Sequence, residues 1–345
     1  MPGTSTMQKI RFRTEIPLPE YPFRLEHSYK FVTLGSCFAT NIADRLRSYR
    51  FSVLDNPFGV LYNPASILQS LQLLQSNQQV TKEDLIYYDE EWHSFDHHSD
   101  FSRSNAEECL QAVNSGLDKS RIYFKDAEVL MITYGTAYVY KHIRRGRIVS
   151  NCHRVPAAEF EHFRLDFADI VEMIRDSIRI ARNLNPAVKI IFSISPVRYL
   201  KEGFAENQLS KALLILAVYK AIEREEHCVY FPAYEIMMDD LRDYRFYEGN
   251  LTHPNTMAID YIWHIFSRSL LSEDCLNMME QVKQVVQAYS HKPRNLQSKK
   301  YHQFIRKSLQ FAESLKKQYT YLNLDHEITY FKEFLAGIEN GKFNS

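Results

Sequence analysis

Ser36 is the first residue whose place in the sequence could do chemistry. It follows Gly35 and a short apolar run, Phe31–Leu34, that predicts a β-strand. A helix is predicted directly after it, because apolar side chains recur at helical spacing at Phe38, Ala39, Ile42, Ala43, Leu46 and Tyr49. A serine on such a turn exposes its hydroxyl, and amides at the helix N-terminus can bind an oxyanion. The segment is typical of serine hydrolases; the alternative is that Ser36 only caps the helix.

His253 is the second candidate, about two hundred residues downstream. It lies in the run Asn250–Asn255, between the last predicted strand and the last predicted helix, with Pro254 as the expected first residue of that helix. An imidazole titrates near neutral pH, so it can take the serine proton and return it to the leaving group. The alternative is a capping or packing histidine, unless the fold brings it to the same edge as Ser36.

The elements that would position these two residues alternate along the chain. Strands are predicted at Phe31–Leu34, Phe51–Leu54, Val129–Tyr134, Lys189–Ile194 and Cys228–Phe231. Helices are predicted after Ser36, over Ser66–Leu74, from Ser104 with Glu107 as a capping box to about Ser115, from Asp166 to Pro186, over Asn207–Glu225 and over Pro254–Leu270. The segments Thr81–Arg103 and Lys141–Phe163 show no clear period and are interpreted as irregular.

This alternation predicts an α/β fold with a three-layer, doubly wound parallel sheet of about five strands. In such sheets, ligands bind beyond the carboxyl ends of the strands. That edge would gather Ser36, the 56–63 turn, Gly135, Thr136, Ser195 and the segment after Phe231. We therefore divide the chain into an N-terminal extension (1–30), a catalytic domain (31–271) and a C-terminal helical appendage (272–345).

The appendage contains two amphipathic stretches, Tyr301–Lys317 and Asp325–Ile338, which would cover the sheet or support a homo-oligomer. Its excess of lysine is interpreted as a solvated face.

Composition excludes several classes of protein. The chain has 42 Lys and Arg against 42 Asp and Glu, so no overall field favours nucleic acid or anionic lipid. No apolar run has transmembrane length, and the N-terminus has no signal-peptide core, so we expect no membrane partner. The five scattered cysteines indicate reduced thiols and a cytoplasmic location.

Several motifs in order resemble a known family. They are GSCFA (35–39), NPFGVLYNP (56–64), HSDFSRSN (98–105), TYGTAYVY (133–140), NCHRVP (151–156), SPVRYLKEGFAEN (195–207) and THPN (252–255). Together they resemble the GSCFA-domain proteins of bacteria, over roughly Phe31 to Leu270. That family looks like a branch of the SGNH (GDSL-like) hydrolases, which implies a flavodoxin-like sheet and a hydrolytic serine, but no particular substrate.

The resemblance assigns roles residue by residue. It makes Ser36 the nucleophile, makes the Ser36 and Gly59 amides the expected oxyanion donors, and matches Gly135 to the glycine of a Gly-x-x-Asn motif. The asparagine of that motif is Tyr138 here, so Thr136, or an asparagine such as Asn63 or Asn151, would have to supply the donor.

The last family motif, Asp-x-x-His, has Asn250 in place of the acid before His253. An amide can orient an imidazole but cannot neutralise its charge. Three interpretations stay open: a Ser–His dyad helped by a backbone carbonyl, an acid from elsewhere such as Glu248 or Asp243, or a weakened enzyme. Losing the acid of a Ser-His-Asp system lowers kcat by about 10⁴.

Other reactive side chains have competing interpretations. Cys37 could be a nucleophile, but the residue after the nucleophile more often gives its amide to the oxyanion. The run from Trp92 to Asp100 contains His93, Asp96, His97, His98 and Asp100, which zinc would accept. Because the run is aperiodic, we interpret it as a polar loop that contacts substrate, without metal.

Further substrate contacts are expected at Arg198 and His153, with a salt bridge and a structural histidine as their alternatives. Tyr244, Phe246 and Tyr247 could stack on a sugar or pack the last loop.

The sequence thus predicts an esterase of the SGNH type, without cofactor, acting on a small acyl ester such as an O-acetylated carbohydrate. The alternatives are a non-catalytic ligand-binding module on the same fold and an O-acyltransferase that uses the same serine.

Overall fold

The computed structural model describes residues 13–339 of the chain, in which ten strands and ten α-helices are found. The strands are β1 (Lys30–Gly35), β2 (Ser52–Asp55), β3 (Leu85–Tyr88), β4 (Glu91–Ser94), β5 (Val129–Tyr134), β6 (Tyr138–His142), β7 (Arg147–Val149), β8 (Phe160–Arg164), β9 (Lys189–Ile194) and β10 (Cys228–Phe231). The helices are α1 (Cys37–Ser48), α2 (Pro64–Ser76), α3 (Ala106–Lys125), α4 (Phe167–Leu184), α5 (Gly203–Ile222), α6 (Ala233–Met238), α7 (Thr256–Leu270), α8 (Glu273–Ser290), α9 (Lys299–Gln318) and α10 (Asp325–Glu339).

The central sheet has five parallel strands in the order β2–β1–β5–β9–β10. Strand order reverses between β1 and β5, where Gly35 is in register with Thr133. The crevice outside the carboxyl ends of the strands at such a reversal is the usual ligand site of doubly wound sheets. The predicted fold class, a five-stranded α/β sheet with C-terminal helices, is confirmed.

Alternate residues of the sheet enter two separate cores. Val32, Ile132 and Phe192 pack on one face with α2, α4 and α5, whereas Phe31 and Met131 pack on the other with α1 and α7. Because both faces are covered, the strands read as continuous apolar runs, which is why the sequence pattern predicted them. Three of them, β5, β9 and β10, have the predicted bounds.

Two segments expected to be irregular contain strands. Within 81–103, β3 and β4 form an antiparallel hairpin, with Tyr87 in register with Trp92. In 138–164, β6, β7 and β8 form a three-stranded antiparallel sheet. These strands are short, partly exposed and paired outside the main sheet, so they carry no long apolar run.

Several helix ends also differ from the prediction. Asn105, not Ser104, caps α3, which continues to Lys125. Asn63 caps α2, so that helix starts at Pro64 rather than Ser66. Asn255 caps α7, so the expected first residue, Pro254, lies outside the helix. The short α6 and the long α8 were not predicted.

Both ends of the described chain pack against the domain. In the predicted extension, of which residues 1–12 lie outside the described part, Leu25 is fully buried and its amide donates to the Leu270 carbonyl oxygen at 2.8 Å. Helices α8, α9 and α10 share a core of their own, and Glu327 of α10 pairs with Arg50 at the start of β2. The tail is therefore attached to the sheet layer.

Over residues 13–339, no helix combines the length and apolar character needed to cross a membrane.

Candidate active site

Ser36 lies on the tight turn between β1 and α1 and caps that helix. Its hydroxyl accepts a hydrogen bond from the Phe38 amide at 3.3 Å, and its own amide donates to the Thr133 carbonyl oxygen at 3.1 Å. Gly35 makes the turn possible: its φ is +145°, and a Cβ there would lie 2.2 Å from the Thr133 oxygen. The predicted strand–serine–helix turn is present, but Ser36 is only 2% exposed, so the expectation that the turn exposes its hydroxyl to solvent is wrong.

A small cavity of about 50 Å³ adjoins Ser36, and we call it the serine cavity. It is lined by Ser36, Cys37, Tyr62, Gly135, Thr136, Ser195, Val197, Arg198 and Tyr199. Gly135 abuts the serine so closely that a Cβ on it would lie 3.6 Å from the Ser36 Cβ. The loops after β1, β5 and β9 therefore meet here, as predicted from the topology.

A larger cleft of about 500 Å³ shares Tyr62, Thr136 and Tyr199 with the serine cavity. Its remaining walls come mainly from the loop after β2 and from the small antiparallel sheet with its loops, and His98 and Lys201 complete them. The lining residues are Val60, Asn63, His98, Tyr138, Tyr140, Val149, Ser150, Asn151, Cys152, Val155, Ala157, Phe160 and Lys201. Aromatic faces alternate there with amide and hydroxyl groups. The cleft suits a polar ligand with flat apolar faces.

The loop that carries His253 is anchored beside the serine cavity by Arg198. The Arg198 amide donates to the Thr252 carbonyl oxygen at 3.1 Å, and its guanidinium donates to the Leu251 carbonyl oxygen at 3.3 Å. The charge of Glu248, in the same loop, contributes to raising the pKa of the Cys37 thiol. Arg198 thus positions the loop, and its guanidinium also stacks over the Tyr247 ring at 4.3 Å.

The hydrogen bonds around His253 fix the direction of the Asn250 amide. Asn250 Oδ1 accepts from the backbone amides of Thr252 at 2.9 Å and His253 at 3.0 Å. Because those amides only donate, the amino group of Asn250 must be the atom that faces His253 Nδ1, at 3.0 Å. An amino group also only donates, so Nδ1 accepts and the neutral imidazole carries its proton on Nε2.

The hydroxyl of Thr252 offers His253 a second arrangement. It lies 3.0 Å from Nδ1 and 3.0 Å from Asn250 Oδ1. The Thr252 hydroxyl can accept a hydrogen bond from Nδ1–H while it donates its own hydrogen to Asn250 Oδ1. In that arrangement Nε2 of His253 carries no proton and is free to act as a base. Among the described residues, neither of the alternative acids, Glu248 and Asp243, brings its carboxylate into a hydrogen bond with the His253 ring. The Glu248 amide donates to the His253 carbonyl oxygen at 2.8 Å, and the Asp243 carboxylate accepts from the Arg245 amide.

Two of the expected oxyanion donors have other acceptors. The Gly59 amide donates to the Asn56 carbonyl oxygen at 2.7 Å, and the Ser36 amide donates to Thr133. The left-handed Gly59, with φ of +77°, instead lets His98 approach, since a Cβ there would lie 2.1 Å from the His98 Cβ. Cys37 opens α1 and lines the serine cavity, so its first-turn amide is the donor best placed for an oxyanion.

No asparagine replaces the missing side-chain donor at the serine cavity. Tyr138 donates its hydroxyl to Glu206 at 2.6 Å, which raises its pKa. Asn63 caps α2 and Asn151 accepts from the His153 amide, although both line the larger cleft. Thr136 is the expected substitute that does line the serine cavity, and its hydroxyl accepts from the Tyr138 amide at 3.1 Å.

The Cys37 thiol is a poor competitor for the role of nucleophile. It is half-buried at the serine cavity, and burial raises its pKa. Because the thiolate is the nucleophilic form, a raised pKa reduces its reactivity at neutral pH.

His93 and His153, expected to contact substrate, lie stacked on each other in a buried cluster, with ring centroids 4.5 Å apart. His93 uses both ring nitrogens internally, with Ser102 at 2.6 Å and the Tyr88 carbonyl oxygen at 2.9 Å. Burial lowers the pKa of His153 to about 4. Both histidines have a packing role in this structure. Within residues 13–339, no three His, Cys, Asp or Glu side chains are arranged to hold a metal ion.

The sequence did not reveal Lys211 as a residue of this region. It is 1% exposed, and its ammonium group donates to the carbonyl oxygens of Gly135 and Ser195, both at 2.7 Å. Both of those residues line the serine cavity. The only signal in the sequence is that Lys211 directly precedes the apolar run 212–218 (ALLILAV). A solvated lysine is the simpler interpretation of that pattern.

Comparison with known proteins places the chain in a family. Residues 30–266 match the family model described as the GSCFA family, and residues 282–337 match the model of the GSCFA domain protein, C-terminal domain. The chain belongs to the GSCFA family, as the motifs predicted.

Among solved structures, the crystal structure of a carbohydrate esterase family 3 from Talaromyces cellulolyticus is similar at a TM-score of 0.34 and 7% sequence identity, over 73% of this chain and 98% of that one. The search of curated proteins gives no match.

Proposed function

We propose that this GSCFA-family protein is a serine ester hydrolase of the SGNH type, with Ser36 as nucleophile and His253 as proton carrier. The observation that carries the proposal is Ser36 itself. It is held on a glycine-dependent turn at a helix N-terminus, beside a cavity at the reversal point of the sheet. The loop of His253 is fixed to the same cavity through Arg198.

In the first step, Ser36 Oγ forms a bond to the acyl carbon, and the carbonyl π electrons move onto the oxygen. The serine proton passes to Nε2 of His253, and the Cys37 amide stabilises the new oxyanion. Collapse of this intermediate breaks the bond to the alcohol oxygen, which leaves with the proton from His253. Water then attacks the acyl-serine in the same way, releasing the acid and restoring Ser36.

His253 can accept this proton only when its own proton is on Nδ1. That tautomer hydrogen-bonds to Thr252 but faces the amino group of Asn250, so it is the less stable of the two. Ser36 and His253 must also come within about 3 Å, although the hydroxyl of Ser36 bonds only to the Phe38 amide among the described residues. We therefore expect a slow hydrolase.

The larger cleft supports a carbohydrate ester as the substrate. Tyr62 and Tyr199 offer aromatic side chains, and Ser150 and Asn151 offer hydrogen-bonding groups, next to the cavity of Ser36. A sugar ring has apolar faces and a hydroxyl-bearing edge, which match these two kinds of group.

The test is labelling with a fluorophosphonate probe, followed by peptide mapping. We expect the label on Ser36, and we expect it to disappear in Ser36→Ala and to fall strongly in His253→Ala. Ser195, which lines the same cavity and is fully buried, is the internal control. Labelling of Ser195, or labelling of Ser36 that is unchanged in His253→Ala, would contradict the proposed mechanism.

The hydrogen bond from Asn250 to Nδ1 favours one other function, a non-catalytic binding module on the same fold. In that case native protein would bind acetylated sugars without turnover, and Ser36→Ala would bind them equally well. Titration calorimetry on both proteins separates the two functions.

A further inference from the structure

Helix α5 directs three polar side chains inward at positions i, i+3 and i+4. Asn207 Oδ1 accepts from the Tyr199 amide at 2.9 Å, and Ser210 Oγ accepts from the Ala137 amide at 2.8 Å. Lys211 completes the row, and all three are buried. Their partners belong to the loops after β5 and β9, so this row of α5 holds the loops that line the serine cavity.

Lys211 differs from the other two because it brings a charge. Its two hydrogen bonds to Gly135 and Ser195 could be made by a neutral donor. Among residues 13–339 it forms no ion pair, and its ammonium group lies 5.5 Å from the centre of the Tyr234 ring. A buried, unpaired charge costs several kcal/mol in a real protein. Burial accordingly lowers the pKa of Lys211 to about 7.

The charge acts on the residue beside Ser36. The Lys211 ammonium lowers the pKa of the Cys37 thiol, against the larger effect of burial, and the Cys37 thiol in turn raises that of Lys211. Of the groups facing Lys211, Cys37 lies on α1 and Tyr234 on α6. The positive field of Lys211 therefore reaches the serine cavity, where a tetrahedral intermediate would place a negative oxygen.

We propose that Lys211 is an electrostatic residue of this site: its buried ammonium stabilises the negative charge that forms next to Ser36, in place of the side-chain donor lost at Tyr138. It acts from beneath the carbonyl groups of Gly135 and Ser195, without contacting substrate. The inference rests on the proposed function of Ser36.

The experiment measures how fast a fluorophosphonate labels Ser36 in wild type, Lys211→Met and Ser210→Ala. Methionine keeps the length of the stem and removes the charge. Ser210→Ala is the control for lost hydrogen bonds, since it removes the buried bonds of Ser210 Oγ to the Ala137 amide and the Thr136 hydroxyl, in the same loops, without changing any charge. Circular dichroism checks the fold, and Lys211→Gln, polar and uncharged, replaces Lys211→Met if that variant does not fold.

At about pH 6, below the pKa of Lys211, we expect labelling of Lys211→Met to be about 10²-fold slower than that of wild type. At about pH 8, where the lysine is mostly neutral, the difference should shrink to about tenfold or less. A purely structural lysine would give the same ratio at both pH values. Equal rates in wild type and Lys211→Met, or a ratio that does not change with pH, would overturn the proposal.

A second measurement separates this inference from the proposed function. If wild type is not labelled at Ser36 at all, the hydrolase proposal fails, and the field of Lys211 is then measured on Cys37. At about pH 6, where Lys211 is charged, the rate at which methyl methanethiosulfonate modifies Cys37, mapped by mass spectrometry, should fall about tenfold in Lys211→Met and much less in Ser210→Ala. A rate unaffected by Lys211→Met would show that its charge does not reach the cavity.

Discussion

Replacing Asn250 by aspartate should increase hydrolysis, because it reverses the direction of one hydrogen bond. The amino group of Asn250 now donates to His253 Nδ1 at 3.0 Å and favours the proton on Nε2. In N250D, one carboxylate oxygen keeps the three donors of Oδ1, which are the Thr252 amide, the Thr252 hydroxyl and the His253 amide. The other oxygen then faces Nδ1 and can only accept, so the proton moves to Nδ1 and Nε2 becomes a base.

The structure sets the size of the gain. The reverse change in a complete Ser-His-Asp triad lowers kcat by about 10⁴, equivalent to about 5.4 kcal/mol, and this is the upper limit. Thr252 already provides an acceptor 3.0 Å from Nδ1, so part of that stabilisation exists in wild type. A hydrogen bond to a charged group contributes about 1.5–3 kcal/mol, which predicts an increase in kcat of about 10- to 10²-fold.

The assay is steady-state hydrolysis of p-nitrophenyl acetate, normalised to the fraction of Ser36 that a fluorophosphonate can titrate. Two controls isolate the tautomer. The double variant N250D/H253A should show no gain, because the imidazole that benefits is absent. Asn255→Asp adds the same charge to the same loop, at the residue that caps α7, and should not reproduce the increase.

A kcat for N250D within twofold of wild type, in a protein with unchanged thermal stability, would refute the tautomer argument. So would a gain that persists in the double variant. Either result would mean that His253 is not the base, or that Nδ1 does not limit it.

Three further predictions concern stability and substrate binding. Burial lowers the pKa of both His97 and His153 to about 4, so below pH 6.5 the unfolded state binds more protons than the folded state. In urea titrations, the free energy of unfolding should therefore be constant above pH 6.5 and decrease between pH 6.5 and 5, by at most about 2 kcal/mol per histidine. Arg50→Met leaves the fully buried carboxylate of Glu327 without its partner, so the free energy of unfolding in the same urea titration should decrease by about 3–5 kcal/mol. The double variant with Glu327→Gln should recover part of this loss, because it removes the unpaired charge. Tyr62→Ala should raise the KM for an acetylated sugar about 3- to 10-fold more than the KM for p-nitrophenyl acetate, since Tyr62 lines both cavities and its backbone contacts are retained.

The central sheet was predictable because its strands are buried on both faces. Val129–Tyr134 and Lys189–Ile194 are short, mostly apolar runs rich in β-branched and aromatic residues, a pattern that favours a buried strand. The antiparallel strands β6, β7 and β8 were missed because they are short and only partly buried, and because β6 pairs with β8 across a distance in sequence. For example, Tyr138 is in register with Arg164. Strands of this kind are defined by tertiary pairing rather than by local pattern.

The candidate site divides in the same way. Ser36, Gly135 and Thr136 were predicted at one edge, because the carboxyl ends of parallel strands meet there, and the structure places all three around one cavity. His93 and His153 were expected there on motif resemblance alone, and the hairpin of β3 and β4 packs them elsewhere. Lys211 was not predicted, because its burial depends on carbonyl groups 16 and 76 residues away.

The sequence by itself determined the family, the five strands of the main sheet and the turn that holds Ser36, since these depend on local apolar patterns and on a glycine that tolerates a close approach. Tertiary structure alone decided which groups carry free donors, which tautomer His253 adopts and where an unpaired charge is buried. These properties arise when groups distant in sequence meet away from water, where each donor must find an acceptor and each charge must act on its neighbours.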